Sequence, residues 1–381
     1  MIRKVLSRLG RLFLSEKRYQ AIREKILGHF RVDSETKYKR IRATFFKKTR
    51  KREEYHNVYR SRLNHLVHVD QPMVLISQAA RSGGTMLHRL FDSHPECHTY
   101  PVELAMGIKP DIYDYPWPEI NLNDTPETWL KSLVQIHVWR WLKNDFRYWP
   151  QDKETYPFIF CPLLCEKIFN TCVVDLRHSA INQRNIFNSY MTAFFNAWVD
   201  NQNLYSPSLK KFTVAFAPQM VLEKENIRKF FGVYPDGKFI SVIRDPFSWY
   251  ASASRYRPKI YGEIESSIQN YWKKSTNNAI ELWREHKERV ILIRFDSLVQ
   301  NTEGVMEGLA GKLGIEFTNS MLDPTFNNHS IKANSSFNEK KNLKKQTINR
   351  YKEILSQDEI RRIDLLSTEL YDKALKVSEA F

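Results

Sequence analysis

The segment Met73–Phe91 reads MVLISQAARSGGTMLHRLF. The apolar run Met73–Ser77 has the pattern of a buried strand, and Thr85–Phe91 repeats its apolar residues at helical spacing. Between them Ser82-Gly83-Gly84-Thr85 forms a tight join. A strand that feeds a helix through a glycine turn is the building unit of a parallel sheet. Further apolar runs at Phe212–Phe216, Phe239–Ile243 and Val290–Phe295 alternate with helical patterns at Thr128–Lys143, Asn185–Val199, Glu223–Phe231, Ile264–His286 and Val305–Leu313. The last pattern ends at Gly314, a helix stop. The expected fold class is α/β: a three-layer α/β/α scaffold with a central, mainly parallel sheet. Residues 105–165, rich in Pro, Trp and Tyr, read as an insertion of irregular loops, and Asn349–Phe381 reads as helical.

Charge divides the chain near residue 65. Residues 1–62 carry 20 Lys/Arg against 6 Asp/Glu, so the remaining 319 residues are nearly neutral in a chain of net charge +16. The domain reading is a basic arm over 1–65 and one catalytic body over 66–381. In the arm, Ile2, Val5, Leu6, Leu9, Leu12 and Phe13 recur at helical spacing, with Arg3, Lys4, Arg8 and Arg11 on the other face. That pattern suits an amphipathic helix on an anionic membrane surface, or one docked on its own domain. The run FFKKTRKR suits phosphates or sulfated glycans, and no nucleic-acid module accompanies it. No apolar run approaches the roughly 20 residues of a membrane span. With Met1 as the start, the expected location is cytoplasmic or peripheral on a membrane. Cys97, Cys161, Cys165 and Cys172 are too few for a disulfide scaffold and lack the histidine spacing of a zinc site, so no metal is expected.

The loop itself is suited to an anion. Gly83 and Gly84 let backbone N–H groups approach closely, Ser82 and Thr85 add hydroxyls, and Arg81 adds a permanently charged fork. The lysine of a Gly-x4-Gly-Lys-Ser/Thr nucleotidase loop is missing. A second element, IRDPFSWYASASRYR, places Arg244 directly after a strand and Ser252 eight residues later. Two arginines, each just past a strand of one sheet, suit an anion bound at the sheet's carboxyl edge. The plainer alternative for Arg244 is a loop salt bridge with Asp245.

RSGGTMLHRLFDSHP and RDPFSWYAS resemble, respectively, the 5′-phosphosulfate loop and the 3′-phosphate element of sulfotransferases that use 3′-phosphoadenosine 5′-phosphosulfate (PAPS). VILIRFDSLVQNTEGVMEGLAGKLGIEF is similar to that family's strand and its helix ending in Leu-Gly. The arginine at the loop start and the His-Pro resemble the tyrosylprotein and carbohydrate branches. The resemblance covers roughly residues 73–340 and implies a P-loop NTPase-like fold, PAPS as donor, PAP as product and no metal. It assigns Arg81, Ser82, Gly83, Gly84 and Thr85 to the 5′-phosphosulfate. Arg244 and Ser252 go to the 3′-phosphate, with Arg257 or Arg255 assisting. Lys332, Ser335 and Ser336 fall in a segment similar to a loop that closes over the nucleotide; its plainer reading is a polar surface loop.

An acceptor hydroxyl must lose a proton, so a base is required. Glu103, just past His94-Pro95, lies near the position of the tyrosylprotein branch's glutamate and is the first candidate; otherwise it is a surface carboxylate. His98 is the reserve base, while His94 and His88 read as structural. Two departures from the family stand out. Gly84 replaces a frequent threonine, and Phe216-Ala217-Pro218 lacks a family lysine that steadies the bridging oxygen, leaving that task to Arg81 or Lys332. The expected acceptor is a carbohydrate, glycolipid or similar small molecule, with Trp117, Trp139, Trp141 and Trp149 as stacking candidates. The competing functions are a nucleotide-dependent kinase on the same fold and a non-catalytic protein binding anionic glycans or membranes.

Overall fold

The computed structural model describes residues 60–104, 116–133, 160–176, 181–198, 201–331 and 349–378. The chain falls into two compact units, residues 1–52 and 53–381. The first, with the amphipathic pattern of the arm, lies outside the described residues, as do Trp139, Trp141, Trp149, Lys332, Ser335 and Ser336.

In the second unit five strands form one parallel sheet: β1 Met73–Ile76, β2 Cys97–Glu103, β3 Phe212–Phe216, β4 Lys238–Ile243 and β5 Val290–Arg294, in the order β2-β3-β1-β4-β5. Val74, Ile76, Val214, Phe216, Ile240, Val242, Ile291 and Ile293 form one core with apolar residues of the helices Gly84–Leu90 (α1) and Thr302–Leu313. The alternate residues Leu75, Ala215, Phe239 and Leu292 are equally buried. Both faces of the sheet are therefore covered, which is why the strands read as continuous apolar runs rather than alternating ones. The expected α/β sheet is present. Among the described residues helices also occupy Pro126–Leu133 (α2), Pro162–Asp175 (α3), Gln183–Ala197 (α4), Lys224–Val233 (α5), Pro246–Tyr256 (α6), Lys274–Glu285 (α7), Thr302–Leu313 (α8) and Gln357–Val377 (α9).

Three features were not anticipated. β2 lies where no strand was expected, just past His94-Pro95; Pro101 and the mixed sequence CHTYPVE hide it from any period-2 pattern. α3 begins at Pro162, where irregular loops were expected, with proline in its first turn, where its missing N–H costs nothing. The helix read as Ile264–His286 contains a π-helical stretch, Ile268–Lys273, before α7. Such inserts shift every following side chain around the axis and recur at functional sites. Trp117, a stacking candidate, is buried and lies on Phe187 at 5.0 Å with 12° between the rings, so it belongs to the core.

Candidate active site

The loop Ser77–Thr85 leaves β1 at the carboxyl edge of the sheet, and its carbonyls are tied outward one after another. Gln78 O accepts from Gln219 N at 2.9 Å, Ala80 O from Trp249 Nε1 at 2.8 Å, and Arg81 O from Arg244 Nη1 at 2.6 Å. Ala79 N donates to Ser275 Oγ at 2.8 Å. Trp272, in the π-helical stretch, donates to Arg244 O at 2.8 Å. Trp272 and Ser275 thus brace the loop and its arginine from one helix. Neither was singled out from the sequence, because only the π insert sets their direction.

Two residues of the loop have left-handed backbones: Arg81 at φ 74° and Gly83 at φ 99°. Glycine adopts that region freely, whereas a side-chain-bearing residue does so at a cost of about 1–2 kcal/mol. The Arg244 hydrogen bond holds Arg81 there. Gly83 caps α1, whose first N–H groups have no carbonyl within their own helix.

The two arginines converge. Arg81 Nε donates to Ser252 Oγ at 3.3 Å, and its guanidinium lies 4.8 Å from the centre of the Tyr256 ring. Arg257 lies over the same ring at 5.1 Å. Arg244 is 7% exposed, with its guanidinium 4.3 Å from the Phe295 ring centre. Asp245 caps α6 by accepting from Phe247 N at 3.1 Å and Ser248 N at 3.0 Å. Burial pushes the Asp296 carboxyl above its ordinary value; Asp245 adds to this and Arg244 opposes it. Arg244 therefore stands between two carboxylates and the loop.

Glu103 ends β2 on the same carboxyl edge, in register with Phe216 of β3. β3 is the neighbour of β1, so Glu103 stands two strands from the loop, roughly 10 Å. Between Thr99 and Glu103 four steps of β2 span two of β3, from Val214 to Phe216. This bulge reorients the end of the strand. Arg89 of α1, 2% exposed, fixes the bulge by donating from Nη2 to Pro101 O at 2.5 Å.

His98 is not brought to this edge. It pairs with Thr213 near the amino end of the sheet, 1% exposed and against the Phe195 ring at 5.3 Å. Neither ring nitrogen has a partner among the described residues, and burial, helped by Lys210, pushes it down to about 3. A neutral, enclosed imidazole level with the first residue of β1 is packing, so the reserve-base expectation is corrected. His94 bonds Glu316 O through Nε2 at 2.7 Å and accepts from Glu96 N at 3.1 Å, matching its structural reading. His88 is fully buried in its neutral form, pushed well below its ordinary value by burial and then by Arg89.

The sequence departures also acquire geometry. Ala217 is fully buried, and Gln219 turns its side chain to Tyr261 at 2.8 Å, so this segment offers the loop no cation. A Cβ on Gly84 would overlap the carboxamide of Gln78, a residue the sequence reading passed over.

A glycine turn after a parallel strand, edged by two converging arginines, has the chemistry that suits an anion. The chain belongs to the sulfotransferase family, whose sequence model matches residues 72–319. It is accordingly a PAPS-dependent sulfotransferase by class. No curated relative matches the sequence. Among solved structures it is similar to the sulfotransferase domain from the curacin biosynthetic pathway, at 18% identity and TM-score 0.41, covering 77% of this chain and 96% of that one. It is also similar to the sulfotransferase domain of the Synechococcus PCC 7002 olefin synthase, at 17% identity and TM-score 0.44, covering 81% and 95%. A third is retinol dehydratase in complex with retinol and PAP, at 12% identity and TM-score 0.33, covering 85% of each chain. Among the described residues no helix is long and apolar enough to cross a membrane, and no cluster of metal-ligating side chains occurs.

Proposed function

We propose that the site moves a sulfuryl group from PAPS to an acceptor hydroxyl, with Glu103 as the base. One observation carries the reading: Arg81 Nε meets Ser252 Oγ at 3.3 Å across 171 residues, joining the two anion motifs into one site. Bound PAPS supplies a sulfuryl group on a phosphate leaving group. Gly83, with its positive φ, lets the loop close on the 5′-phosphosulfate, and Ser82 and Thr85 add hydroxyl donors. Arg244 and Ser252 hold the 3′-phosphate, and Arg257 lies beside them on Tyr256. The contact of the Arg81 guanidinium with Ser252 Oγ supports sharing its charge between both phosphates. Preorganised donors of this kind each lower a transfer barrier by about 3 kcal/mol. Glu103 takes the acceptor's proton from the adjacent stretch of the same edge.

The acceptor class is proposed as a carbohydrate or glycolipid. This rests on the branch that the loop resembles, since Trp117 is committed to the core. Residues 1–65 are proposed as a separate basic arm that takes the protein to an anionic membrane surface. Lys332 and Ser335 remain proposed as nucleotide contacts from the segment after the short strand His329–Ser330. Calorimetry with PAP and with ATP tests the central reading. Expected is micromolar PAP binding that is lost in Arg244→Ala, with no magnesium dependence. Absent PAP binding, or tighter binding of magnesium-ATP, overturns it.

A further inference from the structure

Gly84 lacks the side chain that its place at the start of α1 invites, and its backbone is not the reason. Gly83 beside it is at φ 99° and needs to be glycine; Gly84 has no positive φ. What excludes a side chain is space. A Cβ would overlap the Gln78 carboxamide and come within 2.6 Å of the Phe216 ring. Gln78 is 1% exposed, and its Oε1 is buried with no hydrogen-bond partner among the described residues. A buried amide group without a partner costs about 1–3 kcal/mol. A glutamine kept at that cost, against the glycine of an anion loop, has a use that the protein alone does not show. Its backbone is anchored, since Gln78 O accepts from Gln219 N at 2.9 Å, so the side chain is fixed beside α1. The end of the carboxamide nearest Gly84 is Nε2, so its N–H groups already face the start of α1 and can donate to an anion there.

We infer that the Gln78 carboxamide is a ligand of the donor's 5′-phosphosulfate, occupying the place where a hydroxyl at residue 84 would otherwise stand. This rests on the reading of the site as a PAPS site. Gly84 is then small to admit Gln78, and the pair replaces one hydroxyl donor by one amide donor. The amide reaches further than a hydroxyl on a Cβ and carries two N–H groups, so it spans two oxygens of the anion. Its selectivity follows from position: Gln78 adjoins α1, whereas Ser252 and Arg244 are on and before α6.

The test compares two ligands that differ only in the 5′-phosphate, PAP and adenosine 3′-monophosphate, by calorimetry on the full chain. Gln78→Leu keeps the bulk and removes the N–H groups. It is expected to weaken PAP about tenfold while adenosine 3′-monophosphate changes less than twofold. Gly84→Ala, which keeps the glutamine but forces its carboxamide aside, is expected to give the same ligand-selective loss. It serves as the second variant should Gln78→Leu not fold. Unchanged PAP affinity in a folded variant, or an equal loss for both ligands, overturns the inference, the latter marking Gln78 as packing only. Wild-type protein that binds neither ligand instead overturns the PAPS reading itself, so the two failures are distinct.

Discussion

The two edges of the sheet hold similar kinds of side chain and treat them differently. At the carboxyl edge Arg81 and Arg244 keep their charge, lie on the rings of Tyr256 and Phe295, and converge with Ser252. At the amino edge, burial pushes His98 down to about 3, Lys210 down to about 8 and the Cys97 thiol up to about 12. Lys210 donates to Cys97 O at 2.9 Å, so its donors serve the backbone. Guanidinium keeps its charge on burial, whereas burial leaves the His98 imidazole neutral and lowers the Lys210 ammonium to about 8. On the proposed function, the groups that matter are those the fold leaves charged and converging. The enclosed groups of the amino edge belong to the scaffold.

The largest expected effect sharpens this contrast on the carboxyl side. Glu103→Gln is expected to slow conversion of PAPS to PAP, across a panel of hydroxyl acceptors, by about a thousandfold, with PAP affinity unchanged. Near-normal turnover would move the base away from the end of β2. Next, Arg244→Ala is expected to weaken PAP by about a hundredfold. It removes a charged donor and also the bond that holds Arg81 at φ 74°. A loss below threefold in calorimetry would separate the two arginines into independent sites.

The amino edge should respond in stability and not in turnover. His98 has an ordinary value of 6.5 and a folded value of about 3, so between these the unfolded chain binds more protons. Stability is complete above pH 6.5 and falls as the pH drops toward 3, on the order of 5 kcal/mol for this group. His98→Leu is expected to flatten that fall in denaturant titrations while PAPS turnover stays within twofold. A large loss of turnover would restore His98 to the chemistry. The smallest effect concerns Lys210, with an ordinary value of 10.5 and a folded value of about 8. The same sign applies: stability rises as the pH goes from 8 to 10.5. Lys210→Met is expected to abolish that rise, read from melting temperatures across the window.

Four of the five sheet strands were legible because strands covered on both faces read as unbroken apolar runs. β2 was not, since Pro101 and a bulge of four steps against two erase the periodicity. Consequently Glu103, read as lying just past His94-Pro95, is the last residue of a strand, and this gives it a fixed place on the carboxyl edge of the sheet. Gly84 was read as a lost hydroxyl; in the structure its vacancy is the seat of Gln78. No local pattern announces that exchange, because the two residues meet only after the loop has closed.

The sequence by itself determined the parallel sheet, the glycine loop after β1 and the arginine after β4. Each is a local property, written in apolar runs and in the residues that tolerate a tight turn. Only the tertiary structure decided that Arg81 reaches Ser252, that Trp272 and Ser275 brace the loop, and that His98 is shut away while Glu103 is not. Those outcomes follow from the strand order β2-β3-β1-β4-β5 and from a π insert. Both bring together residues far apart in the chain, and such contacts leave no trace in any single window of sequence.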